Sequence, residues 1–499
     1  MKTRGLFLST LFMSAVFAGC SNDEINGIPV ENKNVKHESY MSINIVSASE
    51  TGSRAATDGG FKVGTAAENE VNDLILVFFD ANGNFYNAQS PKFTWNTVDG
   101  TNPAVEKKSN VVVVFNNPEV KPASFVALLN TGLSATTFEG KSLADVKGMV
   151  SNYASIVEKE GNETNYFVMS NSVYVDGGIQ VAAPITDEMI CSKEEDAIKN
   201  PAIAYVERIA TKLEAVADAS VTVTGKEVTL NGKKVTLTPT ITGLNFVHTA
   251  STSNLLKNIN GFEITAPFNG WNDANNFRSY WANSYAEATY GTESYDETAI
   301  NGATSWSEYA NENTSTTTTK LLVTATISGA TEDGTLVDIY KYKGYYYTKD
   351  GLTAEIASIL KGKGLKYTKE ETESDNWASV LTVTHPEGVE QWEGVIGVAE
   401  DVTVDEATAA EIAKLEKVLW WNEGKCYFFV PVEHLGGKTG VVRNHWYQLA
   451  VNSVSGLGTP VADPTEPIDP NVIEDETYYV AAQVQILKWK MVSQDVSLK

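Results

Sequence analysis

The sequence predicts an all-β protein with short helical insertions and two β-rich domains. Aromatic residues make up 10% of the chain and stand beside many Thr and Val residues, a composition that favours sheets over helical bundles. Short segments in which apolar and polar residues alternate recur along the chain, and such alternation is typical of strands with one buried face. With 499 residues and a hydrophobic fraction of 42%, the chain can build two sizeable cores.

The first predicted strand is Tyr40–Val46, where Met41, Ile43 and Ile45 alternate with polar residues. Residues 80–84 resemble a calcium loop but lack its downstream glutamate, so we interpret them as a hairpin turn. The pair Asn231-Gly232 predicts a second hairpin. A short helix is expected over Ser142–Tyr153, and the other strands predicted in this half are Asn72–Asp80, Val111–Phe115, Ser124–Leu129, Tyr166–Met169, Ile203–Ala215 and the two within Ser220–Thr242.

The second half alternates polar loops with further strands and two helices. Residues 249–319 are rich in Asn, Ser, Thr, Tyr and Trp, which favours long loops over continuous core. The spacing of apolar residues among Ala and Glu predicts helices at Thr353–Leu360 and Val404–Trp420. The strands predicted here are Lys320–Ile327, Lys425–Glu433 and Asn444–Val454.

The C-terminal tail combines a predicted linker with predicted strands. Gly458–Glu476 holds four prolines and six acidic residues, which favours an extended, solvated linker. Beyond it the apolar residues change parity twice, and such a change moves side chains to the opposite face, so two strand segments joined by a bend or bulge are expected. The three groups are Val480, Val484 and Ile486, then Leu487, Trp489 and Met491, then Val492, Val496 and Leu498.

The N-terminus has the pattern of an export signal. Lys2 and Arg4 precede an apolar run over residues 6–17, which is too short to span a bilayer as a helix, and small residues then lead to Cys20. This arrangement fits a bacterial lipobox, in which the cysteine becomes the acylated N-terminus. A plain secretory signal that ends near Cys20 is the alternative. Export is expected under either interpretation.

Charge and cysteine content exclude several classes of partner and scaffold. The chain has 38 basic and 63 acidic residues, a net charge of −25, which argues against nucleic acid and anionic lipid surfaces as partners. Beyond the signal, Cys191 and Cys426 are too few for a disulfide framework, and the sequence leaves open whether they pair. The five histidines are scattered without metal-ligand spacing, and Glu433-His434 is expected in a solvent-facing turn. We therefore expect no cofactor, no metal and no catalytic residues.

The two ends of the chain together suggest strand exchange. Residues 50–60 form a small, glycine-containing stretch whose single arginine, Arg54, is a natural target for a protease. A cut there would free the first strand and open an apolar groove, which the C-terminal segment of a neighbouring chain could fill. Two simpler interpretations remain: Arg54 is a solvated loop residue, and each terminal strand pairs within its own domain.

The sequence also resembles the type V fimbrillins, most closely the major-subunit family of the short (minor) fimbriae. The resemblance spans nearly the whole chain, and its longest and most specific part is near the C-terminus. The segments that carry it are Val206–Leu213 (VERIATKL), Phe277–Ala282 (FRSYWA), Gly440–Leu449 (GVVRNHWYQL), Val454–Pro460 (VSGLGTP) and Val484–Trp489 (VQILKW).

The resemblance implies two transthyretin-like β-sandwich domains in an exported lipoprotein that an arginine-specific protease matures at the outer surface. Arg54 would then be the scissile residue and Ala55 the mature N-terminus. Loss of the strand with Met41, Ile43 and Ile45 would expose the acceptor groove, and the C-terminal strands would act as donor. The implied divisions are a signal peptide (1–20), a propeptide with the removable strand (21–54), an N-terminal domain (55–247), a C-terminal domain (248–457) and a linker with donor strands (458–499).

The expected partners are further copies of the chain, accessory fimbrial subunits, the protease, a host or bacterial surface receptor and, before maturation, the outer membrane through the lipid. A shaft subunit with no enzymatic activity is the leading hypothesis, since the donor-like tail is intact. An accessory or anchor subunit is the alternative within the same family. Two others are a monomeric lipoprotein that binds glycans through the aromatic residues of 271–306, and a lipid-anchored hydrolase that uses acidic clusters such as Glu194-Glu195-Asp196 or Glu370-Glu371.

Overall fold

The structure is a computed structural model that describes most of the chain. Cys20, Arg54, Ala55 and the segment 277–282 lie outside the described residues, as do Leu487, Trp489, Met491, Val492, Val496 and Leu498 of the tail. The described residues are 38–48, 64–97, 105–116, 121–151, 157–158, 164–174, 180–217, 220–250, 252–259, 293–294, 305–313, 318–434, 438–468, 479–486 and 493–495.

The first body is built on one mixed sheet of nine strands, in the order β3-β2-β6-β10-β12-β1-β5-β4 with β11 beside β6. Two short helices, α1 (Leu143–Lys147) and α2 (Glu194–Lys199), lie between its strands in the sequence. Strands β1 to β12 are Glu38–Ala48, Leu74–Phe79, Phe85–Gln89, Asn96–Thr97, Val105–Asn116, Ser124–Leu129, Val150–Ser151, Val157–Glu158, Thr164–Asn165, Met169–Asn171, Ala183–Pro184 and Ala202–Arg208.

This sheet folds over so that its two halves pack face to face. The ring of Phe78 on β2 lies 5.1 Å from that of Phe115 on β5. Four strands, β6, β10, β12 and β1, lie between β2 and β5 in the sheet. The outer face of β2 is covered by Phe138 and by Val146 of α1, both fully buried. Because both faces are covered, every residue of β2 is buried, which explains its uninterrupted apolar sequence.

The second body is a sandwich of two sheets. One has the order β19-β13-β31-β34-β35 with β14 beside β31, and the other β25-β26-β27-β21-β22-β15-β16-β20-β28-β32. The helices are α3 (Lys349–Gly362) and α4 (Glu406–Ile412). Strands β13 to β35 are Ala210–Val216, Thr222–Thr224, Lys226–Leu230, Lys233–Val247, Ser253–Asn254, Glu293–Ser294, Ser305–Asn311, Lys320–Ser328, Ile339–Tyr342, Tyr345–Thr348, Tyr367–Lys369, Thr372–Ser374, Leu381–Thr384, Glu393–Val398, Val418–Trp421, Lys425–Pro431, Glu433–His434, Lys438–Thr439, Trp446–Ser455, Thr459–Pro460, Pro467–Ile468, Tyr479–Ile486 and Ser493–Asp495.

The prediction of an all-β fold with short helices is confirmed. The predicted hairpin between β15 and β16 is also present, and Asn231 and Gly232 both adopt the positive φ that its tight turn requires. The tail contains two strands, β34 and β35, which pair antiparallel. The predicted helix Val404–Trp420 is wrong in its second half, because α4 ends at Ile412 and β27 begins at Val418, where it pairs with β21.

Residues 331–421, between β20 and β28, form a unit that we call the inserted module. Its apolar core is separate from that of the sandwich and contains Trp377, Tyr340 and Leu352 among its buried side chains. Thr348 caps α3 by accepting a hydrogen bond from the backbone of Gly351. The module joins the larger sheet where β22 pairs with β15.

The chain changes sheet at a different place from the predicted domain boundary at 247/248. Strand β12 belongs to the sheet of the first body and β13 to the second, so the seam between the two bodies lies at Ile209. Strands β13 to β16, which were assigned to the N-terminal domain, lie in the second body. Conversely, Leu255 and Leu256 return to the first body, where both are fully buried. The change of sheet involves no Gly or Pro, so the sequence reads as one continuous strand.

The start of the predicted solvated linker, residues 458–476, is instead part of the sandwich. Strand β32 pairs with β28, and Thr459, Val461 and Ala462 are buried. Pro460 fits here because β32 is the last strand of its sheet, where a missing N–H is tolerated. Ile468 is also buried, with Val461 and Tyr427, so the prolines do not keep this segment in solvent.

Cys191 and Cys426 are both buried thiols, and they form no disulfide in this structure. Burial raises the pKa of the Cys426 thiol well above its ordinary value, which leaves it unreactive at neutral pH. His434, expected in a solvent-facing turn, is buried and shares a hydrogen bond of 2.7 Å with the hydroxyl of Tyr447. Among the described residues, no helix has the length and apolarity to cross a bilayer.

A buried ion cluster stabilises the seam between the two bodies. Arg443 donates to the Glu312 carboxylate from Nε at 3.0 Å and from Nη2 at 2.7 Å, and Lys257 Nζ lies 3.4 Å from the other carboxylate oxygen. Arg443 also donates to the carbonyl of Asn254, 2.9 Å away. Burial alone would raise the pKa of Glu312, but the charges of Arg443 and Lys257 outweigh it and lower this pKa to about 2. The carboxylate therefore stays charged inside the protein.

We expect Glu312→Gln to destabilise the protein by roughly 3–5 kcal/mol, because it removes the buried negative charge that both Arg443 and Lys257 contact. Urea unfolding followed by tryptophan fluorescence measures the change. Glu227→Gln, which removes a carboxylate from an exposed pair with Lys234, is the matched control and should shift the midpoint little. Equal shifts in the two variants would contradict the role of the cluster.

The same carboxylate predicts a pH dependence. Because the pKa of Glu312 is lowered on folding from its ordinary 4.5, its contribution is complete above that value and is lost as the pH falls toward about 2. The free energy of unfolding of the wild type should thus decrease over this range more steeply than that of Glu312→Gln. Parallel curves in acid urea titrations would refute this assignment.

Candidate strand-exchange site

The strand that the sequence marks as removable lies inside the sheet of the first body. β1 runs antiparallel to β5, with Met41 opposite Val113, and parallel to β12, with Ile43 opposite Ala202. Both edges of β1 are therefore hydrogen-bonded to neighbouring strands. Without β1, the backbone groups of β5 and β12 that face it would lose their partners.

Side chains of β1 fill the core of the first body. Met41 and Ile43 are fully buried among apolar side chains of the two flanking strands. Small residues, Ala202 and Ala204, occupy the inner face of β12, which leaves room for the larger side chains of β1. Strand β1 thus fills a slot between β5 and β12, and its apolar side chains fill pockets at the base of that slot.

The opposite face of β1 is also covered. Ser42, which points away from the core, is only 2% exposed, and α2 packs over this part of β1. Ala197, the buried residue of α2, has a small side chain that allows the helix to lie close to the sheet. The acidic residues 194–196 gave no sign in the sequence that this helix covers β1.

The segment that follows the proposed scissile loop is anchored at the seam. Glu68 is buried, and its carboxylate accepts hydrogen bonds from Lys212 at 2.9 Å and from Tyr309 at 2.5 Å. Burial alone would raise the pKa of Glu68, but these two hydrogen bonds outweigh it and lower this pKa below its ordinary value. Glu68 itself is therefore held by contacts that do not involve β1.

Two segments that carry the resemblance meet beside Glu68. Arg208 donates to the backbone carbonyl of Glu68 at 2.8 Å and to the side-chain oxygen of Asn444 at 3.2 Å. In the adjoining parallel pair β13–β31, Lys212 lies opposite Trp446, with its ammonium 4.2 Å from the indole. The motifs at 206–213 and 440–449 are thus two sides of the seam.

The predicted donor segment pairs within its own chain. β34 lies antiparallel to β31, with Val484 opposite Leu449 and Ile486 opposite Tyr447, and Val480 opposite Val454 beyond a register shift. β35 then forms the outer strand of this sheet. In this state the tail occupies a place in the second body, and donation would require its release from β31.

Comparison with known families identifies the C-terminal region. Residues 420–495 match the family model described as major fimbrial subunit protein type IV, fimbrillin, C-terminal. Over this region the chain is similar to the fimbrillins. The match covers β28 to β35, and it agrees with the resemblance that the sequence shows at 440–449, 454–460 and 484–489. No curated protein sequence matches the chain.

Several solved structures are distantly similar to this chain. A putative cell adhesion protein from Bacteroides eggerthii is 12% identical, with 92% of this chain and 98% of that one covered and a TM-score of 0.34. The tip fimbrial protein Mfa3 from Porphyromonas gingivalis is 9% identical over 90% and 100%, with a TM-score of 0.29. The anchor protein Mfa2 of that organism is 9% identical over 91% and 99%, with a TM-score of 0.23. These low scores carry no further argument.

Ile43→Ala should destabilise the intact chain by about 2–5 kcal/mol, because it empties a pocket at the base of the slot. Ile203→Ala on the adjoining strand β12 is the matched control, since Ile203 is 42% exposed and should contribute little. Chemical unfolding measures both variants. If Ile43→Ala were no more harmful than the control, β1 would not be part of the folded core.

Proposed function

We propose that this protein is the shaft subunit of a surface fimbria, which polymerises by strand exchange after proteolysis between β1 and Glu68. The observation that carries the proposal is the central position of β1. A strand at a sheet edge could leave with little consequence, whereas loss of β1 opens a slot that is hydrogen-bonding on two sides and apolar at its base. Such a slot favours a replacement strand.

The energetics favour refilling the slot. Burial of the Met41 and Ile43 side chains contributes about 1.5–3 kcal/mol each, or roughly 3–6 kcal/mol together. Backbone hydrogen bonds to β5 and β12 add to this. A chain that has lost β1 is therefore stabilised by any strand that offers similar side chains.

The C-terminal segment is the proposed donor. β34 has eight residues against the eleven of β1, so it could span most of the slot. Its apolar residues Val480, Val484 and Ile486 share one parity, as do Met41, Ile43 and Ile45 in β1. The remaining proposed donor residues, from Leu487 to Leu498, would extend the contact or pair with β34.

Arginine accessibility supports cleavage at Arg54, which would make Ala55 the mature N-terminus. The chain has five arginines, at positions 4, 54, 208, 278 and 443. Arg208 and Arg443 are buried in the seam, 3% and 0% exposed. Once the signal is removed, Arg54 and Arg278 are the candidates that remain. Cleavage at Arg54 leaves 499 − 54 = 445 residues.

Lipidation at Cys20 and a cell-surface location complete the proposal. A lipid on Cys20 would anchor the precursor in the outer membrane, and because Cys20 precedes Arg54, the same cut would release the subunit from its anchor and open the slot. One event would thus couple release to assembly. An accessory or anchor subunit would share the fold but would not need a donor tail.

Treatment of the lipid-free precursor with an arginine-specific protease should give a new N-terminus at Ala55 and filaments visible by negative-stain microscopy. Arg54→Lys should resist this cut and stay monomeric, and Arg278→Lys is the matched control that should still assemble. A chain truncated after Glu476 should be cut but should not assemble, because it lacks the donor strands.

Cleaved full-length protein that stays monomeric would overturn the shaft role and favour an accessory subunit. A new N-terminus at Ser279 would place the cut at Arg278 and contradict the Arg54 assignment. Filaments from the truncated chain would contradict the C-terminal segment as donor.

A further inference from the structure

The segment that leads to the C-terminal strands is held on the inserted module. The backbone N–H of Ala462 donates to the carbonyl of Gln391 in the module at 3.2 Å. The side chain of Asn422, the residue directly after the module, donates to the carbonyl of Ala462 at 2.9 Å. Beyond this point the chain continues through Asp463 and Glu466 to β33, which pairs with β18. We call residues 462–468 the strap.

One histidine of the module reaches the strap. His385 directly follows β25, and its side chain is only 4% exposed. Its Nδ1 lies 2.7 Å from the carbonyl oxygen of Glu393, and its Nε2 lies 2.9 Å from a carboxylate oxygen of Glu466. Both atoms that contact the ring are therefore oxygens.

Two oxygen acceptors on one imidazole define its protonation state. A carbonyl oxygen and an ionised carboxylate accept hydrogen bonds and cannot donate them, whereas a neutral imidazole has one N–H. Both contacts of His385 are made at once by the imidazolium form, which has two N–H groups. Loss of that proton turns one of the two contacts into a repulsion between lone pairs.

The strap places two carboxylates near His385. Glu466 and Asp463 both belong to the strap. The Asp463 carboxylate has its pKa lowered chiefly by hydrogen bonds from Thr465, with a smaller contribution from the charge of His385. On the side of the module, the carboxylate of Glu393 pairs with Lys417, so that cation is already neutralised.

We propose that the His385–Glu466 pair is a pH-sensitive latch that holds the strap on the inserted module and so slows the release of the C-terminal strands. The latch is closed while both ring nitrogens of His385 carry a proton, and it weakens at higher pH, where a neutral ring can donate to only one of the two oxygens. The effect on release of the C-terminal strands rests on the proposed function, since it matters only if those strands are donated. The pH-sensitive pair itself concerns the folded monomer alone.

The inference gives the inserted module a role in assembly. In mildly acidic surroundings the strap would stay docked and the tail would remain in its own sandwich. At neutral or higher pH the strap would open more often, and β34 would leave β31 more readily. The module would thereby act as a brake on polymerisation.

Hydrogen exchange of the uncleaved monomer tests the latch directly. At about pH 5.5 the amides of the strap, Glu466 above all, should be about three- to tenfold more protected than at about pH 8, after correction for intrinsic rates. His385→Gln should abolish this difference. Glu387→Gln is the matched control, because it removes an exposed carboxylate from the same loop and leaves the His385–Glu466 pair intact.

Assembly of the cleaved chain tests the proposed effect of the latch on strand release. Wild-type filaments should form more slowly at about pH 5.5 than at about pH 8, and His385→Gln should remove that difference. Strap protection that does not change with pH, or that changes equally in His385→Gln, would overturn the latch. Equal assembly rates of wild type and variant at both pH values would overturn the proposed effect of the latch on strand release. If cleaved chains never assemble while strap protection follows pH, the proposed function fails and the latch stands.

Discussion

Hydrogen bonding along both edges of β1 is the constraint on which the first body depends. A strand in the middle of a sheet satisfies two rows of backbone groups, and Met41 and Ile43 of β1 are also buried in the core that the neighbouring strands build. The C-terminal strands are placed differently, since β34 and β35 lie at the end of their sheet. The two ends of the chain thus differ in what their removal costs. Loss of β1 opens a gap inside a sheet, whereas loss of the tail only removes strands from the edge of one.

The seam between the bodies is polar, and this limits how the two can be arranged. Glu68, Arg208 and Asn444 form one set of directional contacts, and Glu312, Arg443 and Lys257 form another. An apolar seam of the same area would tolerate sliding, but buried charges tolerate few alternatives, because each must keep its partners. The fixed seam keeps the slot in the first body and the tail in the second at a constant distance within one subunit.

The sequence predicted the strands with strong alternation or unbroken apolar runs, such as β1, β2, β6 and β20, and the turn at Asn231-Gly232. It did not predict the seam at Ile209, because β12 and β13 follow each other without a Gly or Pro. The inserted module was not predicted as a separate unit, because its strands resemble those of the surrounding sandwich in composition. At the candidate site, Met41 and Ile43 were identified from their spacing. Glu68, α2 and the contact between His385 and Glu466 were not, since 81 residues separate the last pair and no local pattern connects them.

The inserted module enters and leaves the sandwich at neighbouring points. It follows β20 and precedes β28, which are paired so that Thr326 lies opposite Lys425. A chain excursion whose two ends are this close can change in length or sequence without altering the strands that flank it. This position is therefore a natural place to graft a foreign peptide. If the subunit polymerises, each copy would display the graft once, and the filament would become a repetitive scaffold for antigens or enzymes.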